Sequence, residues 1–342
     1  MATLSFITGI AGPTISPDER SFLREADPWG LIVFARNIDT PRQLERLVWS
    51  FRELNGREDA PVLIDQEGGR VRRLRLPHWH DMPPAGAIRE LHRDDPAAAR
   101  RAAWLSGRLI GEDLHALGIN VDCFPVADLL IDGAHDIVGD RAYGDRPEIV
   151  AELAGEAAEG LRAAGVAAIV KHIPGHGRAL ADSHLELPRV SASAEELAET
   201  DFAAFRGLAG LPMAMTAHVV YEALDPDSPA TTSKHLVDAV IRGDIGFDGL
   251  LMSDDLSMKA LSGAMRARTR AAFAAGCDIA LHCNGEMDEM VAVAEESGEL
   301  GGKALQRAEA ALAWPRRVSD NAEALRREFG QLLGLDSAPA VG

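Results

Sequence analysis

Cysteine is scarce in this sequence of 342 residues, which contains only Cys123, Cys277 and Cys283. An odd number of cysteines without a framework spacing does not suit a disulfide-stabilised secreted protein. We therefore expect buried free thiols and a reducing compartment. The apolar run at residues 4–10 has no basic stretch before it, which argues against a signal peptide. Both features predict a cytoplasmic protein.

Long apolar runs and an excess of positive charge are also missing. No stretch approaches the roughly 18 apolar residues that a membrane span needs, so no membrane partner is expected. The 35 Lys and Arg residues are outnumbered by 53 Asp and Glu residues, which gives a formal net charge of −18. Nucleic-acid binding requires clustered basic residues, so this balance argues against a nucleic-acid partner. The acidity is interpreted as a contribution to solubility.

Short apolar runs alternate with amphipathic segments along the chain, and such runs are typical of parallel strands buried on both faces. They lie at residues 4–10, 30–35, 61–64, 120–124, 166–170, 213–217, 249–252 and 278–282. Eight strands alternating with helices predict an α/β protein with a (β/α)₈ barrel. An open doubly wound sheet is the alternative, but residues 9–12 lack its glycine-rich phosphate turn. We expect a single catalytic barrel over residues 1–335 with a C-terminal helical extension, and a disordered tail at 336–342.

Helical patterns fill the spaces between the predicted strands. Thr40 and Ser233 are predicted N-caps, and Gly118, Gly165 and Gly276 are predicted to end helices in the left-handed conformation. The predicted helices span residues 41–54, 96–117, 149–164, 194–208, 234–242 and 264–275. Residues 70–92, which include three prolines, are predicted to form an irregular loop at the rim of the barrel.

Polar residues follow most of the predicted strands, at the end where barrel enzymes carry their functional groups. They include DQEGGR at 65–70, Asp122 and Asp128, GDR at 139–141, KHIPGHG at 171–177, DSH at 182–184, His218, SDD at 253–255, and HCN at 282–284. Charged groups are costly to bury unless they are paired or used. Their occurrence at successive strand ends therefore predicts a polar pocket.

Four of these motifs, taken in order, resemble those of glycoside hydrolase family 3. They are DQEGGRV at 65–71, KHIPGHG at 171–177, DSH at 182–184 and SDDLSM at 253–258. More narrowly, they resemble the bacterial β-N-acetylglucosaminidase branch of that family, whose members act in cell-wall recycling. The resemblance spans residues 4–285 and implies a (β/α)₈ barrel that acts on a sugar substrate without a cofactor.

The resemblance places the catalytic nucleophile at Asp254, in the run after the seventh strand. A carboxylate held at a strand end can form a covalent glycosyl ester, as retaining glycosidases require. The neighbouring Asp255 is interpreted as structural, because adjacent residues of a strand point to opposite sides. The resemblance makes His184 the proton donor and Asp182 its partner. Histidine has an ordinary pKa of roughly 6.5, which suits a group that acts as both acid and base.

Other motif positions are expected to hold the sugar. The contacts that the resemblance implies are made by Asp65, Arg73, Arg141, Lys171 and His172. Asp122 is expected to support the arginine and lysine groups, and the sequence leaves open whether His218 and Asn284 touch the substrate. Arg141 stands in GDRAYG at 139–144, where relatives more often have Arg-Ser-Phe.

No metal is predicted. His172 and His176 have the i, i+4 spacing of helical zinc sites, but Pro174 and Gly175 between them argue against a helix. The histidines of the HWH segment at 78–80 are interpreted as loop residues.

Three other functions are compatible with parts of the pattern. Phosphorolysis on the same fold is the nearest, because a histidine donor does not repel phosphate. A β-glucosidase or xylosidase of the same family is disfavoured, because such relatives generally take their acid/base residue from an additional C-terminal domain. A non-catalytic sugar-binding barrel would need neither Asp254 nor His184. The resemblance suggests a 1,6-anhydromuramyl sugar or muropeptide as substrate and a monomeric enzyme.

Overall fold

Eight parallel strands form a barrel in the computed structural model, which describes residues 2–179, 181, 183 and 186–335. The strands are Leu4–Thr8, Pro28–Val33, Val62–Ile64, Val121–Asp122, Ala167–Ile173, Met213–Thr216, Leu250–Met252 and Ala280–His282. Each of the first seven pairs with its neighbour, and the eighth pairs with the first. A parallel bridge between Met252 and Ile279 joins the seventh and eighth strands and completes the ring. Each predicted apolar run overlaps one of these strands, and the predicted (β/α)₈ barrel is confirmed.

Helices surround the barrel and connect its strands. They span Pro17–Ala26, Pro41–Asn55, Ala85–Asp94, Pro96–Ala116, Pro147–Ala164, Ala194–Glu199, Asp201–Arg206, Met265–Ala275, Met287–Glu296, Gly302–Ala313 and Ala322–Leu332. Three predicted caps are confirmed. The Thr40 side chain accepts a hydrogen bond from the Gln43 N–H, and Gly165 and Gly276 end their helices with φ angles of 89° and 115°.

The predicted helix at 194–208 is divided into two, and a partner from outside the segment accounts for the break. Thr200 separates Ala194–Glu199 from Asp201–Arg206 and has a non-helical backbone. Arg178, from the loop after the fifth strand, donates hydrogen bonds to the Thr200 Oγ1 and the Asp201 Oδ2 at 3.0 and 2.6 Å.

Two further boundaries differ from the sequence prediction. The predicted loop at 70–92 is wrong in its last part, because a helix begins at Ala85, directly after Pro84. The helix predicted at 234–242 is a π-helix that spans Leu236–Asp244. Ser233 nevertheless caps it as predicted, since its Oγ accepts a hydrogen bond from the Leu236 N–H at 3.1 Å.

The hydrophobic core has two layers. The barrel interior is filled by side chains that alternate along the strands, such as Val121 and Cys123, and helix Gly302–Ala313 contributes Ala308 and Ala311. The larger layer lies between the strands and the surrounding helices. This packing fixes the strands, and therefore the residues at their C-terminal ends.

The C-terminal helices pack against the barrel helices. Phe329 is buried in the outer core layer, and Arg101 forms a two-fold hydrogen bond with Glu328 at 2.7 and 2.8 Å. The predicted disordered tail at 336–342 lies outside the described residues.

In the part of the chain that the structure describes, no helix combines the length and apolar character needed to cross a membrane.

Candidate active site

A cavity of about 520 Å³ opens at the C-terminal ends of the strands. Six residues predicted for the site line it together, namely Asp65, Arg73, Arg141, Lys171, His172 and Asp254. The other two, Asp182 and His184, lie outside the described residues. Ser183, between them in sequence, lines the same cavity.

A bulge in the fifth strand explains how two adjacent residues both face the cavity. Neighbours on a regular strand point to opposite sides. The pairing of the fifth and sixth strands shifts register between Lys171 and Ile173. Such an irregularity re-aims side chains, and both Lys171 and His172 line the cavity.

Lys171 lies between two carboxylates that come from the end of the third strand. Its Nζ donates to Asp65 Oδ1 at 2.9 Å and lies 2.6 Å from Glu67 Oε1. Arg73 donates to the other Asp65 oxygen at 3.0 Å, and Arg141 holds Glu67 with two hydrogen bonds of 2.7 and 2.8 Å. The cluster therefore joins the third strand, the fifth strand and the loop that carries Arg141.

Mutual pairing keeps this buried cluster ionised. Burial alone would raise the pKa of Asp65 and Glu67, but Lys171 and Arg73 hold the pKa of Asp65 well below its ordinary value, and Arg141 and Lys171 lower the pKa of Glu67 to about 2. Burial alone would lower the pKa of Lys171, and the two carboxylates raise it instead. The cavity wall thus presents fixed charges of both signs.

Asp128 supports the two histidines of the KHIPGHG motif. Its Oδ1 accepts the backbone N–H groups of His172 and His176 at 3.2 and 2.7 Å, and its Oδ2 lies 2.7 Å from His172 Nδ1. Burial would raise the pKa of Asp128, but His172 and then His176 lower it to about 2. A buried carboxylate therefore holds this turn in place.

His176 is buried next to the loop that carries Ser183. Its Nε2 lies 3.1 Å from the Ser183 Oγ, while its Nδ1 has no hydrogen-bond partner among the described residues. Burial lowers the pKa of His176 to about 4. The ring is therefore neutral near pH 7.

The two aspartates after the seventh strand have different surroundings. The Asp254 backbone N–H donates to Thr216 Oγ1 at 3.3 Å, and Asp254 Oδ1 accepts the Asp255 N–H at 2.8 Å. The Asp255 carboxylate accepts from the Ser257 N–H and Oγ and from the Cys283 N–H, at 2.6–3.1 Å. These bonds agree with the structural interpretation of Asp255, although it also borders the cavity.

Asp122 does not join the hydrogen-bonded cluster of lysine and arginine groups that it was expected to support. Its carboxylate accepts the Gln66 backbone N–H at 3.0 Å, and within the described part of the chain it makes no hydrogen bond or ion pair with an arginine or lysine. Val121 and Cys123 face the barrel interior, so the intervening Asp122 side chain points the other way. Burial raises its pKa well above the ordinary value.

The two positions that the sequence left open have different surroundings. His218 is fully buried, with its ring nitrogens 2.7 Å from Thr231 Oγ1 and 3.0 Å from the Asp255 carbonyl oxygen. Asn284 lines the cavity, and its amide donates to Glu289 at 2.6 Å. Of the two, only Asn284 lines the cavity.

Several residues of the site were not assigned a role from the sequence. Glu67 belongs to a recognised motif, and its position two residues after Asp65 was an available signal. Asp128 and Arg36 gave no comparable signal, because their partners are distant in sequence. Arg36 lines the cavity and donates to the carbonyl oxygens of Ile10 and Cys283.

Within the described ranges, no group of three or more His, Cys, Asp or Glu side chains is arranged to hold a metal ion.

Comparisons with known proteins show which family this chain resembles. The family model for the glycosyl hydrolase family 3 N terminal domain matches residues 3–312. A beta-hexosaminidase of Alkalilimnicola ehrlichii is 42% identical over 280 residues, which cover 81% of this chain and 79% of that protein. A beta-hexosaminidase of Pseudomonas aeruginosa is 40% identical over 293 residues, or 85% of each chain.

Solved structures show the same relationship. The crystal structure of NagZ from Neisseria gonorrhoeae in complex with N-trifluoroacetyl-D-glucosamine matches 99% of both chains, with a TM-score of 0.86 and 31% identity. The match extends over the whole barrel and its C-terminal helices. This chain therefore belongs to glycosyl hydrolase family 3 and is a glycoside hydrolase.

Proposed function

We propose that this enzyme removes terminal β-linked N-acetylglucosamine from a sugar conjugate with retention of configuration. The observation that carries the proposal is that Asp254 lines the same cavity as the cluster of Asp65, Arg73, Arg141 and Lys171. The relatives named beta-hexosaminidase support the choice of an N-acetylhexosaminide as substrate.

Asp254 is the proposed nucleophile. Its carboxylate attacks the anomeric carbon as the leaving oxygen departs, and a covalent glycosyl ester forms. His184, oriented by Asp182, donates a proton to the leaving oxygen. In the second step His184 removes a proton from water, which attacks the ester and releases the sugar. The position of Ser183 at the cavity supports the involvement of this loop.

The cationic groups of the cavity suit the binding of a neutral, hydroxyl-rich sugar. Arginine and lysine donate hydrogen bonds to hydroxyl oxygens, and Asp65 can accept from hydroxyl protons. Because the cations and carboxylates already pair with one another, the site needs no ligand charge to balance them. We therefore assign Asp65, Arg73, Arg141, Lys171 and His172 to substrate binding.

The first test compares wild type with Asp254→Asn on a 4-nitrophenyl β-N-acetylglucosaminide. We expect kcat/KM to fall by at least roughly 10³-fold in the variant, because the amide cannot form the ester. Asp288→Asn, at an exposed position in the first turn of helix Met287–Glu296, is the control and should retain wild-type kcat/KM. Equal activity of Asp254→Asn and wild type would remove Asp254 from the mechanism.

Leaving-group dependence tests the proton donor. His184→Ala should lose most activity on substrates with poor leaving groups and much less on activated aryl substrates, which need little protonation. The same loss with every leaving group would contradict the assignment of His184. Added phosphate gives a further check, since formation of the sugar 1-phosphate would mean that the enzyme is a phosphorylase.

We further propose that the enzyme is a cytoplasmic monomer that acts on (1,6-anhydro)muramyl sugars or muropeptides in cell-wall recycling. The resemblance of the motifs and the scarcity of cysteine support this assignment. Product analysis on cell-wall fragments tests the substrate. Light scattering during size-exclusion chromatography tests the oligomeric state.

A further inference from the structure

Among the residues that the structure describes, only one ring nitrogen of His172 has a hydrogen-bond partner. Its Nδ1 lies 2.7 Å from Asp128 Oδ2. No described residue is hydrogen-bonded to Nε2, and the His172 ring lines the cavity. Nε2 is therefore the nitrogen that a bound ligand can reach.

Asp128 controls where the proton of this ring resides. It is 0% exposed, and its contacts with Nδ1 and with two backbone N–H groups are those of an ionised carboxylate. An ionised carboxylate can only accept hydrogen bonds, so the short contact requires a proton on Nδ1. A neutral ring protonated there has a lone pair on Nε2.

We propose that Asp128 is a positioning residue that holds the His172 ring in the Nδ1–H tautomer, so that Nε2 accepts a hydrogen bond from a substrate hydroxyl.

The cavity contains many hydrogen-bond donors, and its carboxylates already accept from some of them. The side chains of Lys171, Arg73 and Arg141 can only donate hydrogen bonds. Each sugar hydroxyl can also donate one, and it needs an acceptor for that bond. Asp65 and Glu67 already accept from these cations. His172 therefore supplies an acceptor that is free of such pairing. This step rests on the proposed function, because it takes the ligand to be a sugar.

Asp128→Asn should invert the tautomer without disturbing the turn. Oδ1 accepts two backbone N–H groups, so the amide oxygen of the variant must take that place. The amide NH₂ then faces His172 Nδ1 and requires a lone pair there. The ring proton moves to Nε2, and the acceptor facing the substrate becomes a donor.

Nitrogen NMR of the ligand-free enzyme, labelled with ¹⁵N-histidine, reads the tautomer directly. His172→Gln identifies the resonances of His172. We expect the Nδ1–H tautomer in wild type near neutral pH and the Nε2–H tautomer in Asp128→Asn. Asp132→Asn, at an exposed position in the same loop, is the control and should retain the wild-type spectrum. An Nε2–H tautomer or a doubly protonated ring in wild type would overturn the proposal.

Kinetics test the hydrogen bond to substrate. Asp128→Asn should lower kcat/KM roughly 10- to 100-fold, as expected when a ligand hydroxyl loses its acceptor, while its melting temperature stays near that of wild type. On 3-deoxy, 4-deoxy and 6-deoxy substrates, one deoxy analogue should show no further loss in the variant, which identifies the hydroxyl concerned. Equal further losses on all three would overturn the proposed contact.

Different results would contradict the proposed function and the proposed role of Asp128. If wild type cleaves no β-N-acetylglucosaminide, the proposed function is wrong. The NMR measurement needs no substrate, so the control of the His172 tautomer by Asp128 is judged independently.

Discussion

Lys171 is 2% exposed and still carries its charge, because two carboxylates face its ammonium group. Removing one partner of a buried ion pair is strongly destabilising, since it leaves an uncompensated charge. The same argument holds for Arg141, whose guanidinium is held by Glu67. The groups proposed to bind the sugar are therefore held in position by ion pairs within the protein.

His176 should make the stability of the protein depend on pH. Its pKa is about 4 in the folded state against an ordinary value of 6.5. As pH falls below 6.5, His176 is protonated in the unfolded chain. In the folded chain it stays neutral until about pH 4. Stability is therefore lost through this interval, by on the order of 1–2 kcal/mol at pH 5.

The variant His176→Gln removes this titration. Denaturant unfolding at pH 7 and pH 5 should show a smaller loss for the variant than for wild type, by the amount given above. His235→Gln, at an exposed position, should behave like wild type. An equal loss for wild type and His176→Gln would assign the pH dependence to other groups.

At the scale of elements, two neighbouring helices pack closely because each has a glycine where their backbones meet. Helices Pro96–Ala116 and Pro147–Ala164 approach so closely that a Cβ at Gly107 would overlap the Ala157 carbonyl oxygen, and one at Gly160 would overlap that of Trp104. Both are backbone atoms, which cannot move without shifting a helix. The close approach packs the helix that precedes the fourth strand against the helix that precedes the fifth.

Two glycine-to-alanine substitutions should therefore have opposite effects. Gly107→Ala is expected to destabilise the protein by about 1–3 kcal/mol through overpacking. Gly155→Ala lies on one of the same helices, where a Cβ would make an ordinary 3.5 Å contact with Leu208. It should stabilise by up to about 1 kcal/mol through helix propensity. Melting temperatures that shift in the same direction would contradict this account of the packing.

At the scale of the whole molecule, the C-terminal helices share the core of the barrel. Phe329 belongs to the outer core layer, and Arg326 pairs with Asp113 of a barrel helix at 2.5 Å. We propose that residues 1–335 form a single domain that unfolds cooperatively. Few contacts would cross the boundary if the extension were an independent unit.

Phe329→Ala tests this proposal. The substitution should cost about 3–5 kcal/mol and lower the melting temperature of the whole protein in one transition. Circular dichroism and tryptophan fluorescence should report the same midpoint. Leu335→Ala, at a 45% exposed position, is the control and should leave the midpoint unchanged. An early transition confined to one probe would show a separate unit.

Local patterns in the sequence were sufficient for the barrel and for much of its site. Apolar runs predict strands because both faces of a barrel strand are buried, and the polar residues after those runs meet because parallel strands end at one mouth. Asp65, Lys171 and Asp254 could be assigned to one pocket on that basis. Helix ends at Gly165 and Gly276 followed from the conformational freedom of glycine.

The pairing of side chains was decided only by the tertiary structure. Asp128 meets His172 across 44 residues, and Glu67 meets Arg141 across 74, with no signal in the local sequence. The same is true of the break at Thr200, which depends on Arg178, and of the bulge that turns both Lys171 and His172 to the cavity. Backbone periodicity is a local property, whereas the partner of a buried charge is whichever group the packed fold brings within reach.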